Sequence, residues 1–121
     1  MTTDPRFEKW AQLSDAALAT ELARATGELL VEHRTQLIER GTTQWVLKDT
    51  ADALAHNFIM DALSATRPGD AVLSEEGLDD RARLTSKRVW IVDPLDGTNE
   101  YGENRADWAV HVALWQDDEL S

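Results

Sequence analysis

Val89-Trp-Ile-Val-Asp-Pro-Leu-Asp-Gly-Thr98 is the stretch that decides how this chain is read. An apolar run of strand length ends abruptly in two carboxylates, Asp93 and Asp96. Pro94 between them fixes a backbone angle and stiffens the turn. Hard divalent cations take oxygen ligands, so two carboxylates on a short stiff turn suit them. Gly97 and Thr98 follow at once. A residue without Cβ lets backbone N–H groups come close to an anion, and a helix beginning here would aim them at it. A metal and a phosphate held at one turn is the combination that phosphate-ester hydrolysis requires.

Upstream, Ala71-Val-Leu-Ser74 reads as a short buried strand running into Glu75-Glu76, and an acidic polar loop, 77–87, leads back to the strand at 88–92. Downstream, Asp107-Trp-Ala-Val-His-Val-Ala-Leu-Trp115 is apolar on both faces, which predicts a central strand. Before the strands lie two helical patterns. Ser14 is a good N-cap, and Leu18, Leu22, Ala25, Leu29, His33 and Leu37 share one face, predicting a helix over 15–39 that ends near Gly41. Residues 42–47 read as a short extended segment. A second helix is expected from Asp49 or Thr50, burying Ala51, Leu54, Ala55, Phe58, Ile59, Ala62 and Leu63, and ending before Arg67-Pro-Gly69. Helices followed by strands predict an α+β layer arrangement. A central strand so near the last residue lacks room for a following partner, so residues 1–121 are expected to be part of a larger domain. An unpaired edge there would favour a homodimer.

Composition narrows the class. The chain has 121 residues, 42% of them hydrophobic, with 23 acidic against 12 basic side chains and a net charge of −11. Such acidity, without a basic tract, argues against nucleic-acid binding. It would also repel an anionic substrate unless divalent cations reversed the local field. The absence of cysteine excludes disulfides, thiolate metal sites and a cysteine nucleophile. Neither a signal-peptide pattern nor an apolar run of the ~18 residues that a membrane span needs is visible, so a cytoplasmic, soluble location is expected.

Five carboxylates belong together. Glu75 and Glu76 follow one strand, Asp93 and Asp96 follow another, and Asp52 is placed in the first turn of a helix. Taken singly, each has a plain explanation: a solvated turn, a surface loop, or an acidic residue favoured by the helix dipole. Acidic residues following adjacent strands, however, converge on one sheet edge, where they can surround a cation pair.

Asp93-Pro-Leu-Asp-Gly-Thr98 after a strand, with Ser74-Glu-Glu76 upstream, resembles the inositol monophosphatase superfamily of magnesium-dependent, lithium-sensitive phosphatases. Asp70-Ala-Val-Leu-Ser-Glu-Glu76 and Arg88-Val-Trp-Ile-Val-Asp-Pro-Leu-Asp-Gly-Thr-Asn-Glu-Tyr101, continuing into 107–115, are similar to one branch, the CysQ-type 3′-phosphoadenosine-5′-phosphate phosphatases in their actinobacterial form. The resemblance implies the helix pair and first sheet layer of a layered αβαβα sugar-phosphatase fold, the metal-binding N-terminal part of such a domain. It implies Mg²⁺, two or three ions, held by Glu75, Asp93, Asp96 and the backbone carbonyl of Leu95, with Glu76 supporting Glu75 from behind. It implies backbone N–H groups of Gly97 and Thr98 on the phosphate. The Thr98 hydroxyl, paired with a helix aspartate, would orient the attacking water. That aspartate is expected to be Asp52, with Asp49 as the competing assignment.

Members of this superfamily continue into a second layer that carries another metal-binding aspartate and most substrate contacts, so the present stretch alone is expected to be inactive. The expected substrate is 3′-phosphoadenosine 5′-phosphate, as in sulfate assimilation. Inositol 1-phosphate and fructose 1,6-bisphosphate are the alternatives. A different class remains open: a truncated, non-catalytic protein that binds metal or serves as an interaction module. His33, His56 and His111 read as packing or interface residues rather than ligands, and Asn99 and Tyr101 as the rim of the site. Core packing accounts for Trp90, Trp108 and Trp115, with adenine stacking by a tryptophan as the lesser alternative.

Overall fold

The computed structural model describes residues 4–74 and 87–116, with the backbone alone of 119–120. Two long helices dominate the first half. After a short α1 (Arg6–Trp10), α2 spans Asp15–Glu39 and α3 spans Gln44–Thr66. Ser14 caps α2 by accepting from the Ala17 N–H, and Gly41, at φ +74°, turns the chain out of its end. The buried stripe of α2 runs Leu18, Leu22, Ala25, Thr26 and Leu30, so Leu30 rather than the expected Leu29 is the deepest residue of its middle turns.

The start of α3 corrects the sequence reading. Residues 44–47 are helical rather than extended: Thr43, itself in an extended conformation, is the N-cap, accepting from the Val46 N–H, and the helix begins at Gln44. Trp45 and Val46 have the β propensity that suggests a strand, but both face solvent, while Leu47 is buried against Leu30 and Tyr101. Burial of Leu47 at helical spacing with Ala51 and Ala55 outweighs that propensity. Asp52 therefore lies in the third turn of α3, not the first. The helix dipole offers no explanation for it.

The sheet has the order β1-β2-β3-β4: β1 Ala71–Ser74, β2 Arg88–Asp96, β3 Ala109–Gln116 and β4 Glu119–Leu120. β1 and β2 are parallel, with Ser74 level with Val92, so their carboxyl ends share one edge. β2 pairs antiparallel with β3, and β3 with the two-residue β4. β3 thus has a strand on either side, although β4 meets it only at Trp115 and Gln116. Most of β3 is half-buried, His111 is exposed and Leu114 is buried, a thinner cover than a fully central strand would have. α2 packs on β3 and α3 on β2, giving one helix layer on one sheet face.

Two apolar clusters fill that interface. One joins Trp10, Leu22, Ile59, Leu63, Trp90 and Val92 near the amino end of β2. The other joins Leu30, Leu47, Ala51, Ala55, Leu95 and Tyr101 beneath the carboxyl end. The turn singled out from the sequence rests on the second cluster.

Candidate active site

β2 does not end where its apolar run does; it continues through Asp93 to Asp96. Asp93 pairs with His111 and Asp96 with Ala109, so three steps along β2 match two along β3. β2 therefore carries one extra residue, a bulge, at Pro94-Leu95. In a regular strand, residues three apart point to opposite faces; the extra residue resets the alternation. The result is visible in the side chains: Asp96 Oδ2 lies 3.1 Å from Nε2 of His111, the cross-strand partner of Asp93. Pro94, without an N–H, suits an interrupted ladder, and Leu95 is buried, anchoring the bulge in the second cluster.

Gly97 then takes φ +87°, a left-handed conformation open to glycine, and opens the short helix α4 (Thr98–Gly102). A Cβ on Gly97 would lie 3.1 Å from the Asp107 carbonyl oxygen and 3.2 Å from Trp108 Cα. The close approach requires glycine as much as the dihedral does. Tyr101, fully buried, donates from its hydroxyl to the Leu30 carbonyl (2.5 Å) and meets Trp108 edge-on at 5.2 Å. Burial pushes its phenol up to about 12. Arg34 lies over the Tyr101 ring at 4.9 Å and donates to the carbonyls of Tyr101 and Arg105, fixing the far end of α4.

One face of α3 looks onto these elements. Lys48, Asp52 and His56, at successive one-turn steps, each reach across. Lys48 Nζ donates to Asn99 Oδ1 at 3.2 Å, and His56 Nδ1 lies 3.2 Å from Ser74 Oγ. Thr98 Oγ1 donates to Asp52 Oδ1 at 3.3 Å, with the Leu95 carbonyl oxygen at 3.4 Å as a second acceptor. The carboxyl ends of β1 and β2 are thus tied to α3 by polar side chains. Between α3 and the start of α4 lies an open cavity of about 290 Å³, lined by Trp45, Lys48, Asp49, Asp52, Thr98 and Asn99. A second, of about 370 Å³, lies across the turn, bounded by Asp96, Gly97, Glu100, Asp107, Trp108 and Ala109.

The structure therefore brings together Asp52, Leu95, Thr98 and the Gly97 turn, with Asp93 and Asp96 on the bulged strand that leads into it. Asp52 rather than Asp49 meets Thr98, although both line the cavity. Glu75 and Glu76 lie outside the described residues. Among the described residues no three acidic, histidine or cysteine side chains converge closely enough to form a metal cluster. The donors that are described, carboxylates and a backbone carbonyl, are the oxygen ligands a hard cation takes. Lys48 was missing from the sequence reading. Its signal becomes legible once α3 starts at Gln44, because Lys48 then stands one turn from Asp52 on the same face.

A strand ending in a bulged carboxylate turn, followed by a glycine-initiated helix and backed by a helix pair, is the α+β arrangement of an inositol monophosphatase-like fold. The chain belongs to the inositol monophosphatase family, whose model matches residues 12–120. It is 52% identical over 118 residues to the 3′-phosphoadenosine 5′-phosphate phosphatase of Mycobacterium leprae, covering 96% of this chain and 42% of that protein. It is 43% identical over 65 residues to the 3′(2′),5′-bisphosphate nucleotidase CysQ of Escherichia coli K12, covering 53% and 26% respectively. Among solved structures, inositol monophosphatase II of Staphylococcus aureus superposes with a TM-score of 0.72 at 25% identity, covering 84% of this chain and 37% of that one. The chain thus spans about two fifths of the length of the curated relative that it matches over nearly its whole length. Among the described residues, no helix is long and apolar enough to cross a membrane.

Proposed function

We propose that this chain supplies the metal- and phosphate-binding half of a Mg²⁺-dependent phosphomonoester hydrolase acting on 3′-phosphoadenosine 5′-phosphate. The observation that carries the reading is the Thr98–Asp52 hydrogen bond at the end of the Asp93–Asp96 turn. Asp93, Asp96, the Leu95 carbonyl and Glu75, which directly follows Ser74, would hold the cations, with Glu76 behind Glu75. When bound, Mg²⁺ supplies charge neutralisation for the phosphoryl oxygens and lowers the pKa of water.

The protein groups do the positioning. The Thr98 hydroxyl donates its hydrogen bond to Asp52, so its oxygen lone pairs are left to accept one from water entering the cavity, and Thr98 passes its proton to Asp52 only as it takes one from that water. Asp52 is then the proton's destination, and Thr98 the relay between water and carboxylate. The backbone N–H groups of Gly97 and Thr98 hold a phosphate oxygen, which fixes the ester in line with that water. Positioning and charge neutralisation are the main sources of rate in phosphoryl transfer. The substrate assignment rests on the 52% identity to a protein of that activity. Inositol 1-phosphate is a second reading, because SaIMPase-II, solved with inositol monophosphate bound, superposes at a TM-score of 0.65 and 26% identity.

The test is phosphate release from 3′-phosphoadenosine 5′-phosphate, inositol 1-phosphate and fructose 1,6-bisphosphate by a full-length hydrolase that contains this half, with residues 1–121 alone, expected to be inactive, run beside it. Each is run with Mg²⁺, with chelator and with Li⁺. Release that needs Mg²⁺, falls with Li⁺ and is fastest on the nucleotide is expected. Hydrolysis unaffected by chelator would refute the metal site, and no release from any substrate by the full-length hydrolase would refute the phosphatase reading.

A further inference from the structure

Lys48 and Trp45 stand out as residues that the water-activating chemistry leaves unused. Among the described residues lining the cavity beside Asp52 and Thr98, Lys48 is the only cationic one. Its stem lies against Gly102, where an added Cβ would come within 2.5 Å of Lys48 Cγ and 2.7 Å of Cδ. Only a residue without a side chain leaves that track open. The amide oxygen of Asn99 accepts from the ammonium at 3.2 Å. A neutral acceptor fixes the charge in place without cancelling it. The lysine is therefore held along its length and at its tip.

In a chain of net charge −11, a fixed cation at the mouth of a site ringed by Asp49 and Asp52 counters the repulsion that any anion would meet there. Trp45, one helical turn before Lys48 and Asp49, lines the same cavity and is 75% exposed. An indole left in water beside a positioned ammonium suits a ligand with both a planar ring and a negative charge.

We infer that Lys48, set by Gly102 and Asn99, is an anion-binding residue of the substrate site and that Trp45 is the platform on which a nucleobase stacks. This rests on the phosphatase reading for its place in catalysis, but it is tested by binding alone. The ligand class is a nucleoside phosphate. Lys48 contacts its anionic group and Trp45 its base, so both set KM rather than kcat.

Equilibrium titration of the full chain with adenosine 5′-monophosphate and with ribose 5-phosphate separates the two contacts, since the probes differ only in the base. Phosphate release from 3′-phosphoadenosine 5′-phosphate is followed in parallel in a full-length hydrolase that contains this half. Lys48→Gln should weaken both probes about tenfold, the scale of one charge-assisted hydrogen bond. Lys48→Arg should restore most of that loss, and Lys48→Gln should flatten the salt dependence of binding. Trp45→Ala should weaken the nucleotide by about tenfold and leave ribose 5-phosphate unchanged. Wild-type binding that neither substitution alters would overturn the inference, as would failure of the wild type to bind either probe. Hydrolysis with unaltered binding in Lys48→Gln refutes the inference and leaves the phosphatase standing. Lys48-dependent binding without hydrolysis does the reverse.

Discussion

Gly97 joins two constraints that no other residue type satisfies together: φ of +87° and a backbone only 3.1 Å from where a Cβ would sit. Gly97→Ala should destabilise the chain by about 1–2 kcal/mol, read as a fall of several degrees in melting temperature. It should also displace Thr98, lowering activity more than the stability loss explains. Thr98 and Asp52 act as one unit through their shared hydrogen bond. Thr98→Ala and Asp52→Asn should each reduce kcat about a hundredfold or more with an unaltered melting temperature. The double variant should be hardly worse than the poorer single one, because the relay is lost once. Additive losses in kcat assays would show that the two residues act separately. Tyr101→Phe removes the bond to the Leu30 carbonyl and should cost about 1 kcal/mol in denaturant unfolding.

At the scale of elements, a network at the end of the sheet remote from the site ties four segments together. Asp15 in the first turn of α2 accepts from Arg67 Nε and Arg88 Nη2, both at 3.0 Å. Asp70, just before β1, accepts from Arg88 Nε at 3.0 Å and from the Trp90 indole at 2.9 Å. Burial raises the Asp15 carboxyl, but the hydrogen bonds from Arg67 and Arg88 outweigh it and hold the group below its ordinary value. A depressed folded pKa gives stability that is present above about 3.9, the unfolded value, and lost as pH falls through the folded value. Asp15→Asn should therefore lower stability at neutral pH and flatten the loss below about pH 4 in thermal melts. An unchanged acid limb would mean that Asp15 contributes no such linkage.

The elements also show what the sequence could and could not reveal. The helix over 15–39, the strand at 71–74 and the glycine turn at 97–98 were legible, because Ser14, Arg67-Pro-Gly69 and Gly97 act locally. The start of α3 was not, since Trp45 and Val46 carry β propensity and only the burial of Leu47 against Leu30 and Tyr101 decides for helix. For the same reason the sequence pattern puts Asp52 in a first turn and gives Lys48 no distinguishing signal. The bulge at Pro94-Leu95 was also hidden, since it appears only in the pairing with β3.

At the scale of the whole molecule, a chain of net charge −11 carries a turn of carboxylates at the end of β2. Charge of this sign and size favours accumulation of cations and disfavours free anions, as the proposed cation site requires. The family match and the fold put the turn at the carboxyl edge of parallel strands, where ligands of layered α/β sheets collect. The most direct test of that turn is to count the ions it holds. Mn²⁺, used as a paramagnetic stand-in for Mg²⁺, is titrated into the full chain and into its Asp93→Asn variant, and bound ions are measured by electron paramagnetic resonance. Saturable binding of about two or three ions is predicted for the wild type, with at least one lost in Asp93→Asn. An absence of saturable binding, or the same stoichiometry in both proteins, would contradict a metal site at Asp93–Asp96.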